Sequence, residues 1–508
     1  MNPRSLAILF LGFVMATGCA TRVPVGEAST TDTPGACEHW LAALDSAVDR
    51  NGVRDGEAAR IAGFPYLRVD RFLASLADVA SRSEAAFAAW TAHLRRLDRE
   101  ARAVELQNLA PTALPALQVT NAAAALERGI RCAAVLAARD LALPEARAAI
   151  LAGAQVPDDY SNTARTLGLY PLSALVFARG VAAWQRETLH AFGRGDAAGD
   201  AAQLFMPPAP PLPAAQTRAI FAGATRDALG LPRFSPEERE SLFNTFAPTF
   251  RLPGAAPHDR IGVVRWNADG SPGVDASRPA VYRRLAYTRH GDRVLAQFVY
   301  TAWFSERPAS GVLDILAGAL DGVVVRVTVD EGGEPLLVDS IHPCGCFHMF
   351  FPGPRANPRP APAGEVEWMF SPAGLPTLLP GQGLEFTLAA GTHAITRVAI
   401  AAAGSGTPYA WLDDSELRSL AVPQGPHDQR RSLFDQEGLV RGTERGERYL
   451  FWPMGIASAG AMRQWGRHAT AFIGRRHFDD ADLLLRRFDI IEPAAAAPPR
   501  QSPAPSAQ

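Results

Sequence analysis

Near residue 248 the spacing of apolar residues changes from a period of 3.6 to a period of 2, and this switch constrains the fold more than any other feature of the chain. Upstream, "CEHWLAALDSAVDR" places Trp40, Leu41, Leu44 and Val48 on one helical face. Ala-rich amphipathic stretches follow over 71–109, 121–143 and 170–192, the last two divided by the polar "VPDDYSNTART". They predict a helical domain over 37–204 built from four to six packed helices. Downstream, alternating runs flank Gly291-Asp292, Gly332-Gly333 and Gly391, the pattern of antiparallel hairpins in a sheet or sandwich. The fold class read from this is α+β. "FMPPAPPLPAAQ" (205–216) reads as a Pro-rich linker, followed by a β-rich domain over 217–491. Ser235, Pro236 and Glu238 mark a helix start with a capping box, and 459–474 reads as a C-terminal helical segment. Residues 492–508, rich in Ala, Pro, Ser and Gln, read as a disordered tail.

The N-terminus suggests an address. Met1 to Arg4 carries a positive charge, Leu6 to Val14 is apolar, and Ala16, Thr17 and Gly18 lead into Cys19. The apolar run falls short of the roughly 20 residues that span a bilayer, so 1–18 reads as a secretory signal. "ATGC" resembles a bacterial lipobox, which implies a lipidated Cys19 and a flexible tether over 19–36. Ala20, in place of Asp, implies the outer membrane facing the periplasm, with the lipid as membrane partner. In that oxidising compartment four cysteines remain, and sequence does not choose among their three pairings. The economical scheme joins Cys37 to Cys132; a buried, unpaired Cys132 is the alternative.

Composition closes several routes. The chain is 47% apolar and 20% charged with a net charge of −2, which argues against a nucleic-acid partner. All 50 basic residues are Arg. Without Lys there is no P-loop, no pyridoxal Schiff base and no Ser-x-x-Lys acyl enzyme. HExxH, GxSxG, CxxC and CxxCH are also missing. Asp479, Asp480 and Asp482 read as helix-capping carboxylates, and His39, Trp40, Trp90, His93, Trp184 and His190 as core or groove residues.

One segment concentrates soft ligands. "IHPCGCFH" puts His342, Cys344, Cys346 and His348 on alternate positions. On a straight strand they share a face but spread over about 20 Å, whereas Zn ligands lie about 2.0–2.3 Å from one ion. Pro343 and Gly345 fit a type I turn over 342–345, which gathers the two cysteines and one histidine. Three chemistries stay open. The first is a Cu or Zn site, with His393 as a further ligand. The second is a local Cys344–Cys346 disulfide or redox pair. The third is an inert turn beside Phe347, Phe350 and Phe351. The segment "VDSIHPCGCFHMFFPGP", with "AYTRHGDRVLAQFVYTAWF" and "FWPMGIASAGAMRQWGRHATAF", resembles a proteobacterial envelope lipoprotein family with a CGC-aromatic-His segment. The resemblance implies an envelope lipoprotein and transfers no activity. The expected function is a non-enzymatic binding or structural envelope module. The alternative is a metal-binding or redox dithiol protein centred on Cys344 and Cys346.

Overall fold

The computed structural model describes residues 32–194, 202–254, 256–379, 381–402, 405–423 and 429–491. The signal segment, Cys19, most of the tether and the tail 492–508 lie outside the described residues.

The fold starts earlier than the tether boundary at 36. Thr33 caps helix α1 (Pro34–Arg50), its Oγ1 accepting from the Ala36 N–H, and Pro34 occupies the first helical position. Helices α2 (Glu84–Asn108), α3 (Ala122–Asp140) and α4 (Pro144–Gly153) complete the N-terminal bundle. Its core, including Trp40, Leu44, Trp90, Leu94 and Leu136, closes on a hairpin of β1 (Ala59–Ile61) and β2 (Phe64–Val69). Sequence periodicity missed this hairpin because its two strands are too short to show a period among helical runs. Cys37 and Cys132 are disulfide-bonded, joining α1 to α3 across 95 residues. The bond removes a long loop from the unfolded ensemble.

The second half is a two-sheet arrangement. β5 (Ala280–His290), β6 (Arg293–Arg307), β7 (Gly318–Val329), β8 (Pro335–Ile341) and β9 (Met349–Pro352) run as an antiparallel meander. β12 (Ala410–Asp413) extends its far edge in parallel with β5. A smaller mixed sheet holds β3 (Gln203–Met206), β4 (Pro248–Leu252), β10 (Leu384–Leu388) and β11 (Ile395–Ile400). Phe250 and Phe386 of the smaller sheet share a core with Phe298, Phe304 and Val325 of the larger. The opposite face of the larger sheet is also covered, by the chain after 429, through Phe478, Leu484 and Phe488. Covering both faces is why β6 is buried continuously from Val294 to Phe304 rather than alternately.

Two local readings are corrected. Residues 205–216 are not a free linker: Phe205 and Met206 belong to β3, and a helix begins at Ala214, so only the prolines between them lack regular structure. Residues 459–474 form no helix, because Gly460, Gly466 and Gly474 sit at φ of +87°, +83° and +95°, each a left-handed break. The short C-terminal helices lie instead at Arg448–Phe451 and Leu483–Arg487. The acidic cluster before the second of these does not cap it through side chains. Asp479 pairs with Arg71, Asp480 accepts from the His477 N–H, and Asp482 pairs with Arg486.

Arg does much of the joining between the halves. Arg284 on β5 grips Glu57 at 2.7 and 2.8 Å and Asp414 at 2.9 Å, while Arg418 holds Asp55 at 2.6 Å. Such bidentate forks suit a guanidinium and not an ammonium. Val294 and Ala481 also enter the helical core, so the two halves share packing as well as charge.

Candidate functional site

β8 and β9 are joined through the CGC segment, and its backbone dictates what the side chains do. The Gly345 N–H donates to the His342 carbonyl at 2.8 Å, and the His342 N–H donates to the Cys346 carbonyl at 3.0 Å. With Gly345 at φ +90°, this is a three-residue hairpin loop: a turn over 342–345 followed by a glycine bulge. Pro343 presets the first turn position. A Cβ on Gly345 would lie 2.5 Å from the Ala469 carbonyl oxygen, so both conformation and packing require glycine there. The buried Arg463 secures the loop from outside, its backbone N–H donating to the Pro343 carbonyl and its Nε to that of Cys344.

The turn brings together two of the four predicted ligands. Cys344 and Cys346 are free, buried thiols close enough to act on each other's ionisation. His342 and His348 point elsewhere. His342 Nδ1 lies 3.2 Å from Asp321 Oδ1 on β7. His348 Nε2 lies 2.9 Å from Asp339 Oδ2 on β8, and its Nδ1 lies 3.3 Å from Thr470 Oγ1. His393 does not approach the thiols as a ligand either: its Nδ1 is 2.8 Å from Asp321 Oδ2, its Nε2 faces the His258 carbonyl and Asp259, and its ring stacks on Phe304. Among the described residues, one group of three potential ligands lies within reach of a single ion, Asp32 with Cys37 and Cys132, and those sulfurs are bonded to each other. The Cu or Zn clamp over His342, Cys344, Cys346 and His348, with or without His393, is therefore not assembled. The physical reason is that two carboxylates buried in the sheet claim the imidazoles.

Those carboxylates must stay ionised inside a low-dielectric core. Burial works against Asp339, yet the Arg326 guanidinium, bidentate at 2.9 and 2.5 Å, and the His348 hydrogen bond hold it below the usual carboxylate range. Burial also works against Asp321, which hydrogen bonds from His342 and His393 and the charge of Arg445 hold well below it. Burial keeps His342 below its ordinary value, so it serves Asp321 as a neutral donor. His393 behaves oppositely. Burial opposes its charge, but Asp259 and Asp321 on either side raise it.

The two thiols open onto a cavity of about 870 Å³ roofed by α5 (Tyr170–Arg194). The lining is mainly apolar, with Phe177, Val181 and Trp184 from the roof and Ile395 and Phe472 from the walls. Trp184, read from sequence as core or groove, packs on Phe347 and Phe370 at the cavity's edge. Glu447 also lines the cavity. Its carboxylate is buried and makes no hydrogen bond or ion pair among the described residues, and burial pushes it up to about 7. The neighbouring Cys346 lowers the Cys344 thiol, with help from the Arg445 charge, while Cys344 and burial push Cys346 up.

Sequence reading missed Asp321, Asp339, Arg445 and Glu447. The two aspartates had a signal, a carboxylate inside an otherwise apolar strand in "GALDGVVVRVTV" and "PLLVDSI". Glu447, in the aperiodic "GTERGERYLF", had none. No protein-family model, curated protein or solved structure matches the chain.

A pH test isolates one of these contacts. Burial holds His348 at about 3 against an ordinary 6.5, so between those values only the unfolded chain takes up its proton. The contribution is complete above 6.5 and is lost as pH falls, at about 1.4 kcal/mol per pH unit. Buried His468 acts in the same direction, while Glu447 and Asp70, raised to about 7 and about 6, act against it. His348→Gln removes one of these groups only. Urea unfolding of both proteins between pH 6 and 4 is expected to show their stability difference shrinking by about 1.4 kcal/mol per unit; parallel curves would contradict the assignment.

Proposed function

We propose that this chain is an outer-membrane lipoprotein facing the periplasm, which binds an apolar small molecule in the cavity beneath α5. The cavity is the observation that carries the reading: about 870 Å³ with a mainly apolar lining is the size and character of a small-molecule site. The roof helix supports it. α5 runs for 25 residues without one fully buried side chain, and it is held through aromatic contacts such as Phe177 to Phe451 and Phe192 to Phe351. Gly180 sits within this helix facing the cavity, where glycine costs roughly 1 kcal/mol relative to alanine. An added Cβ there would meet nothing within 4 Å, so packing does not explain the glycine, and preserved cavity space does.

The address is supported by the "ATGC" segment and by the Cys37–Cys132 disulfide, a bond typical of compartments outside the cytoplasm. Among the described residues no helix is long and apolar enough to cross a membrane. Attachment in this reading rests on lipid at Cys19. Cys19→Ser is expected to abolish labelling by a radiolabelled fatty acid and to move the protein from the membrane to the soluble fraction; unchanged fractionation would refute the anchor.

Binding is tested with a neutral fluorescent apolar probe, N-phenyl-1-naphthylamine. The expected result is saturable one-to-one binding, weakened at least about tenfold by Gly180→Phe, which places a ring of drug-sized apolar bulk into the cavity. The same substitution removes a helical glycine, so it is expected to leave the melting temperature unchanged or higher. Probe binding equal in the two proteins would place the ligand elsewhere.

A further inference from the structure

We propose that Cys344, Cys346 and Glu447 form a thiol–disulfide exchange centre opening on the α5 cavity, acting on small disulfides that can enter it. Cys344 is the attacking thiol, Cys346 the resolving thiol, and Glu447 the proton carrier. The inference shares the cavity with the binding reading but does not need the apolar ligand.

Three observations carry it. All three side chains line one cavity, and Glu447 is near enough to both thiols for its charge to act on them. The thiols are unbonded to other sulfurs and close enough to act on each other's ionisation, the arrangement in which one sulfur attacks while the second waits. Glu447 is the third. A buried carboxylate with neither hydrogen bond nor ion pair carries a large desolvation cost, and the other buried carboxylates among the described residues each have a partner. The cost is maintained by the fold: Gly460 comes so close to Glu447 Oε1 that any side chain there would displace it. Other charges facing Glu447 are Arg445, Arg307, Arg463 and the more distant Asp321. Their net positive sign favours a thiolate on Cys344 without clamping the carboxylate in an ion pair.

The loop sets the redox character. With one residue between the cysteines, a Cys344–Cys346 bond closes a small ring that the turn at Gly345 permits but strains. Strained disulfides are the more readily reduced ones, so oxidised protein passes oxidising equivalents on rather than storing them as a structural staple. Cys37–Cys132, joining two helices across a long loop, is the structural one.

The chemistry balances as follows. The Cys344 thiol gives its proton to water and the thiolate attacks one sulfur of R–S–S–R′; the S–S bond breaks, and R′–S⁻ leaves and takes a proton back from water. Cys346 gives its proton to Glu447 and attacks Cys344 Sγ. The mixed disulfide breaks, and R–S⁻ leaves with the proton returned from Glu447. Two electrons and two protons pass from the dithiol to the substrate disulfide, and the Cys344–Cys346 disulfide remains. The reverse sequence oxidises a dithiol.

The test uses the reduced full chain, with Cys37–Cys132 intact, and 4,4′-dithiodipyridine as the small neutral disulfide. One protein is expected to release two thiopyridones per reagent molecule and to end with Cys344 and Cys346 bonded, read by peptide mass. Cys346→Ser is expected to release one and to retain the thiopyridyl group on Cys344. Glu447→Gln is expected to resolve the mixed disulfide at least about tenfold more slowly at pH 7.5, a general-base loss, and to lose the rise in rate through pH 7. Release that occurs only after unfolding, or a wild-type product carrying two thiopyridyl groups, would overturn the proposal. Resolution at the wild-type rate in Glu447→Gln would overturn the role of the carboxylate. The wild-type stoichiometry needs no variant, and it is unaffected if the apolar probe fails to bind, so the two readings fail separately.

Discussion

Two aspartates buried in the six-stranded sheet determine the layout of everything around them. An ionised carboxylate in a core is tolerated only with charge and hydrogen bonds supplied at close range. Asp339 recruits Arg326 from the neighbouring strand, directly opposite in register, and His348 from the hairpin connection that follows its own strand. Asp321 recruits His342, His393 and Arg445 from three separate segments. The CGC hairpin is thus fastened at both ends by imidazoles that face into the sheet. Between them the two cysteines and Phe347 line the cavity. A site that resembles a metal clamp in one dimension becomes a dithiol in three.

This geometry also explains where sequence reasoning succeeds. Hairpins around Gly291, Gly332-Gly333 and Gly391 were legible because glycine turns and period-2 runs are local signals. The turn at 342–345 was legible for the same reason, from Pro343 and Gly345 alone. What was not legible depends on long-range partners. No spacing rule shows that His342 meets a residue 21 positions back or that His393 meets one 72 positions back. The 459–474 region misled because its apolar residues fall at helix-compatible positions, while its glycines, which decide the matter, are tolerated singly in helices. The Arg-only composition, which in the sequence excludes Lys-dependent chemistries, has a structural consequence in the bidentate seam of Arg284 and Arg418.

The cavity and the thiols belong to one arrangement. α5 forms a roof whose inner side meets Phe347 and Phe472, and whose outer side leaves Leu172 and Leu175 about two-thirds exposed. The floor is the rigid bulged hairpin, held by Arg463 and by the close approach of Ala469 to Gly345. A loosely held roof over a tightly held floor suits a site that admits a molecule while keeping its reactive groups in register.

The central claim is that the Cys344 and Cys346 thiols open into the α5 cavity. The direct measurement is the rate at which a small neutral alkylating reagent, iodoacetamide, modifies these cysteines in the folded protein, with the cavity empty and with N-phenyl-1-naphthylamine at ten times its Kd. At that concentration about one site in eleven is open. The account predicts that modification slows about tenfold; equal rates with and without bound probe would contradict it.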